Sequence, residues 1–195
     1  MDLQVNYNDP LIMHIDLNSA YAMIEQQANP LYRHKPVAIA AYDTPRGMII
    51  AASYEAKRKG IALGVNVREA RLIDPNVIVL VPDPEKYFDA HRRFRQVLLN
   101  YTNEVTPKSV DEFVIDFRGS VAVQKGKSMQ EIGRQIKQDI KGSLGEYVTV
   151  NVGIGPNRFL AKMAAGLNKP DGLDTITGHN LREVYAGLEL IDLTG

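Results

Sequence analysis

The sequence contains no cysteine. Disulfides and thiolate metal sites are therefore excluded, and a reducing compartment suits the chain. Long apolar runs are also missing. The longest aliphatic stretch, Val77-Ile78-Val79-Leu80-Val81, falls far short of the roughly 20 residues that span a bilayer. No basic segment followed by an apolar one opens the sequence, so a secretory signal is not expected and a cytoplasmic location is. Internal repeats, low-complexity tracts and long linkers are lacking as well. Nor is there an excess of either charge, since 23 Lys and Arg balance 23 Asp and Glu. Proteins that grip duplex nucleic acid by its phosphates usually carry a basic excess, so composition alone speaks against that partner. What remains is the ordinary mixture of a globular protein, with 45% hydrophobic and 24% charged residues. Its 195 residues suffice for one domain or two small ones sharing a core.

The order of elements is legible. Leu11 to Asp16 reads as a short buried strand ending in a carboxylate. Asn18 is placed to cap a helix through Tyr21, Ile24 and Glu25, which Asn29-Pro30 stops. Val37 to Ala41 and Met48 to Ala52 are apolar strands, and Ser53 caps a short helix, Tyr54 to Lys59, closed by Gly60. Asn66 with Glu69, and Ser128 with Glu131, are capping boxes. A long helix follows from the helical spacing of Tyr87, Phe88, His91, Phe94, Val97, Leu98 and Tyr101. Phe113 to Phe117 is a strand, and Met129, Ile132, Ile136 and Ile140 mark another helix face. Tyr147 to Ile154 alternates, with Val148, Val150, Val152 and Ile154 on one side and Thr149 and Asn151 on the other. The helix from Asn157 directs Phe159, Leu160, Met163 and Leu167 toward the core. Strand, helix, strand, strand, helix, strand around a carboxylate pair predicts an α+β, ferredoxin-like split βαβ fold.

Three acids stand out by position. Asp16 ends the first strand, and Asp111-Glu112 sits where a hairpin begins. If the strands are neighbours, the three carboxylates converge on one sheet edge, where their repulsion calls for a divalent cation. An oxygen-only set favours magnesium or manganese over zinc. Two such ions about 4 Å apart can activate a hydroxyl and stabilise the leaving oxygen of a phosphoryl transfer. Adjacent strand residues face opposite ways, so Asp111 and Glu112 share a site only if the backbone turns there. Acids at a turn are ordinarily solvated surface; the apolar strands on each side single these out. A second cluster is Tyr54, Lys57 and Arg58, which share a helix face beside a helix N-terminus and would suit a triphosphate. A solvated basic face is the plainer alternative there, and a snorkelling side chain is the plainer alternative for Lys162.

Taken together, these segments resemble the Y family of DNA polymerases. The resemblance runs in order through Ile15-Asp16-Leu17-Asn18-Ser19-Ala20-Tyr21-Ala22, Asn29-Pro30-Leu31 and Lys35-Pro36-Val37. It continues through Ala52-Ser53-Tyr54-Glu55-Ala56-Lys57 and Ser109-Val110-Asp111-Glu112-Phe113. Val152-Gly153-Ile154-Gly155-Pro156-Asn157, Leu160-Ala161-Lys162 and Lys169-Pro170-Asp171-Gly172 complete it. The resemblance implies a palm over residues 1–19 and 83–170, fingers over 20–82, and the beginning of a thumb over 171–195, with the little finger absent. It implies that Asp16, Asp111 and Glu112 hold two magnesium ions, manganese being the alternative, with the Leu17 carbonyl completing one shell. Tyr21 falls at the steric gate against a ribose 2′-hydroxyl. Asn18, Ser19, Ala20 and Tyr21, with Tyr54, Lys57 and Lys162, would cradle the incoming nucleotide. Small residues Ala51, Ala52 and Ser53 would face the nascent pair and tolerate damaged templates.

The implied activity is low-fidelity, template-directed DNA synthesis across lesions, with primer-template DNA and deoxynucleotides as partners and a monomeric state. Asn180 to Leu190 is expected to begin the thumb, with Asn180 and Glu183 as its capping pair. Ile191 to Gly195 stops where a hairpin should begin, so a truncated fragment with weak DNA binding is expected, which would account for the neutral charge. Contact with a sliding clamp is expected only through the missing C-terminal part. Ala20 stands where relatives carry an aromatic, which would loosen Tyr21, and Lys57 replaces a bidentate arginine with a point charge. Weaker nucleotide binding than in typical members is the expectation. A palm-type nucleotidyl cyclase and a catalytically idle docking module are the competing functions; template-dependent incorporation separates all three.

Overall fold

The computed structural model describes residues 7–189. In chain order the elements are β1 (Ile12–Leu17), α1 (Ala20–Ala28), a 3-10 turn (Pro30–Tyr32), β2 (Val37–Ala40), β3 (Ile49–Ala52), α2 (Tyr54–Lys57) and α3 (Val67–Ile73). Then follow β4 (Ile78–Leu80), α4 (Pro84–Leu99), β5 (Val105–Pro107), β6 (Glu112–Asp116), α5 (Val121–Gln124) and α6 (Met129–Leu144). The last are β7 (Val150–Gly155), α7 (Arg158–Leu167), β8 (Leu173–Thr175) and α8 (Leu181–Ala186). The described residues form two compact units, one of residues 7–18, 92–144 and 149–189, the other of 19–91 and 145–148.

The first unit is built on a five-stranded sheet in the order β5-β6-β1-β7-β8. β1 pairs antiparallel with both β6 and β7, β5 pairs antiparallel with β6, and β8 runs parallel to β7 at the edge. Without β8 this is the expected split βαβ order, and the mixed α+β class is borne out. Every residue of β1 and of β7 is buried, so these central strands are covered on both faces. Phe113 meets Phe94 of α4 edge-to-face at 4.8 Å on one side. On the other, Ile12, Val114 and Ala161 of α7 form a cluster. Both sides of β7 are buried: Thr149 precedes the strand, and Asn151, on the side away from Val150 and Val152, is 1% exposed. Glycine lets α7 approach that side: a Cβ on Gly153 would lie 2.0 Å from the Ala161 carbonyl oxygen and 2.1 Å from the Ala165 nitrogen. One on Gly155 would lie 2.6 Å from the Ala161 nitrogen. The absent side chains let the α7 backbone lie directly on β7.

The second unit has a three-stranded sheet, β3-β2-β4, with β2 antiparallel to β3 and parallel to β4. Its strand Val37–Ala40 is wholly buried. Ala38 and Ala40 pack with Ala56, Ile61, Val67 and Ala70 on one face, while Val37 and Ile39 pack with Ala22 of α1 on the other. Such small residues bring α2 and α3 close to the strands. The caps at Ser53 and Asn66 and the reciprocal Ser128–Glu131 box are present as expected, and Asn157 also caps α7.

Several local expectations are corrected. Asn18 caps nothing. The residue ahead of α1 is Ser19, in left-handed geometry at φ 48 and with no side-chain cap bond, because the Asn18 side chain is 1% exposed and bonded to β7 and its approach. Phe159 is 42% exposed instead of packing in the core; Leu160 and Met163 take that role. α8 ends at Ala186 rather than Leu190, and Asn180 turns back to Thr177 N at 2.7 Å and Thr175 O at 2.8 Å instead of capping it. Ile191 to Gly195 lie outside the described residues.

Candidate active site

In the first unit, Asp16 and Glu112 are direct cross-strand partners of β1 and β6, hence on the same sheet face. Asp111 lies one residue before β6, in a bend, and its charge acts on Asp16 as that of Glu112 does. Ser109 Oγ shapes that bend: it donates to Asp111 Oδ1 at 2.5 Å and accepts from Glu112 N at 3.1 Å. Leu17 N donates to the Asp111 carbonyl at 3.0 Å. Because a strand residue in an antiparallel ladder sends its N–H and C=O to the same side, the Leu17 carbonyl is directed there too.

The electrostatics match this geometry. Burial, opposed by the Lys169 ammonium and reinforced by the charges of Asp111 and Glu112, raises the Asp16 pKa above the usual carboxylate value. Lys169 Nζ donates to Asp16 Oδ2, Lys162 Nζ stands 3.6 Å from Glu112 Oε2, and His14 Nε2 stands 3.9 Å from Glu112 Oε1. Burial lowers the His14 pKa to about 4; Asp16 opposes this, and Lys162, Lys169 and Lys108 add to it. At neutral pH the imidazole is uncharged, so its approach to Glu112 is no ion pair. Its Nδ1 is buried without a hydrogen-bond partner. Among the described residues no three His, Asp or Glu side chains converge in ligand geometry; the lysines lie against the acids instead. An open pocket of about 400 Å³ adjoins Glu112, lined also by His14, Lys108, Val114, Arg158, Phe159 and Lys162.

A buried polar relay stiffens this edge. Asn18 N donates to Thr149 O at 3.1 Å and its Nδ2 to Thr149 Oγ1 at 2.9 Å. Asn151 Nδ2 donates to Asn18 Oδ1 at 2.5 Å, and Gly172 N donates to Asn151 Oδ1 at 2.9 Å. Lys137 pairs with Asp171 at 2.8 Å and so fastens the same loop that carries Lys169. Lys169 is the functional candidate that motif reading missed. The segment Lys169-Pro170-Asp171-Gly172 carries no local sign of that role, because the partner of Lys169 is 153 positions away.

In the second unit, Ser19, Ala20 and Tyr21 form the start of α1, whose first amides have no partner within the helix. Lys57 Nζ donates to Ser19 Oγ at 2.8 Å and lies 4.9 Å from the Tyr54 ring centre. Tyr54, Lys57 and the start of α1 are thus brought together. Tyr21 stacks on Tyr87, centroids 4.3 Å apart and planes 9° from parallel.

Residues 15–166 match the model of the impB/mucB/samB family, and the chain belongs to that family. It is 32% identical over 184 residues to DNA polymerase IV of Staphylococcus saprophyticus and 30% identical to that of Staphylococcus aureus, covering 94% of this chain and 51% of each relative. The chain spans about half the length of the curated relatives it matches. Among solved structures, DinB from Sulfolobus solfataricus superposes with a TM-score of 0.83 at 28% identity, covering 94% of this chain and 53% of that one. An insertion ternary complex of Dbh DNA polymerase gives 0.82 at 28%, covering 94% and 54%. With a Y-family DNA polymerase chimera also matching at 0.83, the resemblance read from the motifs is borne out. No helix among the described residues is long and apolar enough to cross a membrane.

Proposed function

We propose that the chain is the catalytic portion of a translesion DNA polymerase, residues 1–19 and 83–170 acting as palm, 20–82 as fingers and 171–195 as the beginning of a thumb. One observation carries this reading: Asp16 and Glu112 pair across β1 and β6, and Asp111, just ahead of β6, lies near enough for its charge to raise the Asp16 pKa, inside the segment that matches the family. The donor set fits magnesium or manganese. It is all oxygen, burial and then the charges of Asp111 and Glu112 raise the Asp16 pKa, and lysines already lie against it. Asp16, Asp111 and Glu112 would hold two ions, with the Leu17 carbonyl in one shell. Bound there, the ions supply activation of the primer 3′-hydroxyl and neutralisation of the departing pyrophosphate.

The chain's own residues do the rest. Lys162 and Lys169 exchange carboxylates for phosphates once those carboxylates are engaged, and Lys108 and Arg158 of the adjoining pocket suit the backbone of a primer strand. Ser19, Ala20 and Tyr21 offer first-turn amides, and Tyr54 and Lys57 a cation and a ring, to the incoming triphosphate. Asn18 supports them by holding β1 to the approach to β7, its own amide being committed to Thr149. Tyr21 would exclude ribose. The enzyme is read as cytoplasmic and monomeric, working on primer-template DNA with deoxynucleotides.

The test is single-nucleotide primer extension with magnesium, comparing the chain with Asp111→Ala. Template-directed extension that Asp111→Ala abolishes supports the proposal. Extension that survives the substitution would remove the carboxylate site from it. Incorporation independent of template would favour a cyclase-like transferase.

A further inference from the structure

Tyr21 and Glu25 lie one turn apart on α1, on one helix face. Tyr87, near the start of α4, spans both. Its ring lies flat on Tyr21, and its hydroxyl donates to Glu25 Oε1 at 3.1 Å. Tyr87 is 4% exposed and the Glu25 side chain 8%. A buried phenol needs an acceptor and a buried carboxylate needs a countercharge. Both needs are met at one point, because Lys86 Nζ reaches Glu25 at 2.7 and 3.0 Å. Asp83 holds the same ammonium at 3.3 Å. Burial, then the Glu25 charge, push the Tyr87 pKa far up, so its hydroxyl remains a donor.

We propose that Glu25, Lys86 and Tyr87 are positioning residues that fix the Tyr21 ring and thereby set how strongly the nucleotide site prefers deoxyribose to ribose. This rests on Tyr21 being the sugar gate. A gate excludes a 2′-hydroxyl only to the extent that displacing the ring is costly. A tyrosine with free side-chain torsions yields by rotating. One stacked on a ring that is pinned at its far end must break the stack or unseat a buried ion pair. The sequence made Tyr21 look loose, since Ala20 supplies no aromatic neighbour. Tyr87 supplies that neighbour from 66 positions further along the chain.

The measurement is the affinity of the chain for ATP and dATP, with magnesium and primer-template DNA, across variants. Tyr87→Leu should reduce the deoxy-over-ribo ratio roughly 5- to 10-fold, the fold-change of one ring–ring contact. Tyr87→Phe keeps the stack but loses the anchor and should reduce the ratio roughly 2- to 3-fold. Glu25→Ala should behave like Tyr87→Phe, and Glu25→Gln, which retains an acceptor, should recover most of the loss. Tyr21→Ala is the control for the underlying reading. If it abolishes discrimination while Tyr87→Leu keeps the parental ratio, the positioning role is overturned and the gate stands. If Tyr21→Ala leaves the ratio unchanged, or the parent shows no preference, the gate itself fails and the proposal with it. A merely structural role would weaken both affinities together at constant ratio, which also overturns it.

Discussion

The two units treat buried acids in opposite ways. In the second, Glu25 has Lys86 at 2.7 Å and the Tyr87 hydroxyl at 3.1 Å, and Asp74 has Lys59 at 2.7 Å and the Asn76 amide at 2.9 Å. Each has dedicated partners, and the Lys59 and Asn76 hydrogen bonds hold the Asp74 pKa below the usual value. In the first unit Asp16 is buried beside two more carboxylates, and its pKa is raised despite Lys169. Its neighbours make its charge harder to keep. A buried acid with its own cation is architecture; a buried acid among acids awaits something from outside. On the proposed function, that contrast separates acids that hold the fold from acids that would act.

Four experiments would break or sharpen the contrast. The largest effect is expected at Asp111→Ala, which should lower primer extension by at least about 10³-fold, the several kcal/mol of a lost metal contact. Asp74→Asn should leave extension close to parental; equal losses in the two variants would erase the distinction. Next, Lys86→Met strands a buried carboxylate and should cost about 3 kcal/mol in urea unfolding. Smaller again is the response to magnesium. At ten times its dissociation constant the ion should stabilise the chain by about 1.4 kcal/mol, and Asp16→Ala should abolish that gain. A gain that persists in Asp16→Ala would put the ion elsewhere.

The smallest effect concerns acid. The Asp74 pKa is lowered on folding, so its stabilisation is complete above the ordinary value of 3.8 and fades as the pH falls through the lowered one. Asp74→Asn should flatten the acid limb of a urea-midpoint profile. Asp16, with a raised pKa, works in the other direction, being most tolerable to the fold when protonated.

Local chemistry made much of this legible. The capping boxes at Asn66–Glu69 and Ser128–Glu131 depend on residues three apart, and the strand carrying Asp16 shows itself by its apolar run. The carboxylate site follows once neighbouring strands are assumed. What could not be read depends on contacts between distant segments. Asn18 looks like a helix cap because nothing nearby reveals that Thr149 and Asn151 take its side chain. Phe159 has helical spacing for the core, yet lines an open pocket because Ala161 and Ala165 press against β7 instead. Lys169 reaches Asp16, and Tyr87 reaches Tyr21, only after the chain has folded back.

The glycine seam of β7 also constrains how this protein can vary. A single-base missense change in a glycine codon always adds at least a Cβ. At Gly153 that atom would fall 2.0 Å from a main-chain oxygen, and at Gly155 2.6 Å from a main-chain nitrogen. Neither neighbour is a flexible side-chain tip that could step aside. No one-step missense substitution at these two codons is therefore free of cost, and a lineage that moves α7 away from the sheet must also move Lys162, which α7 carries.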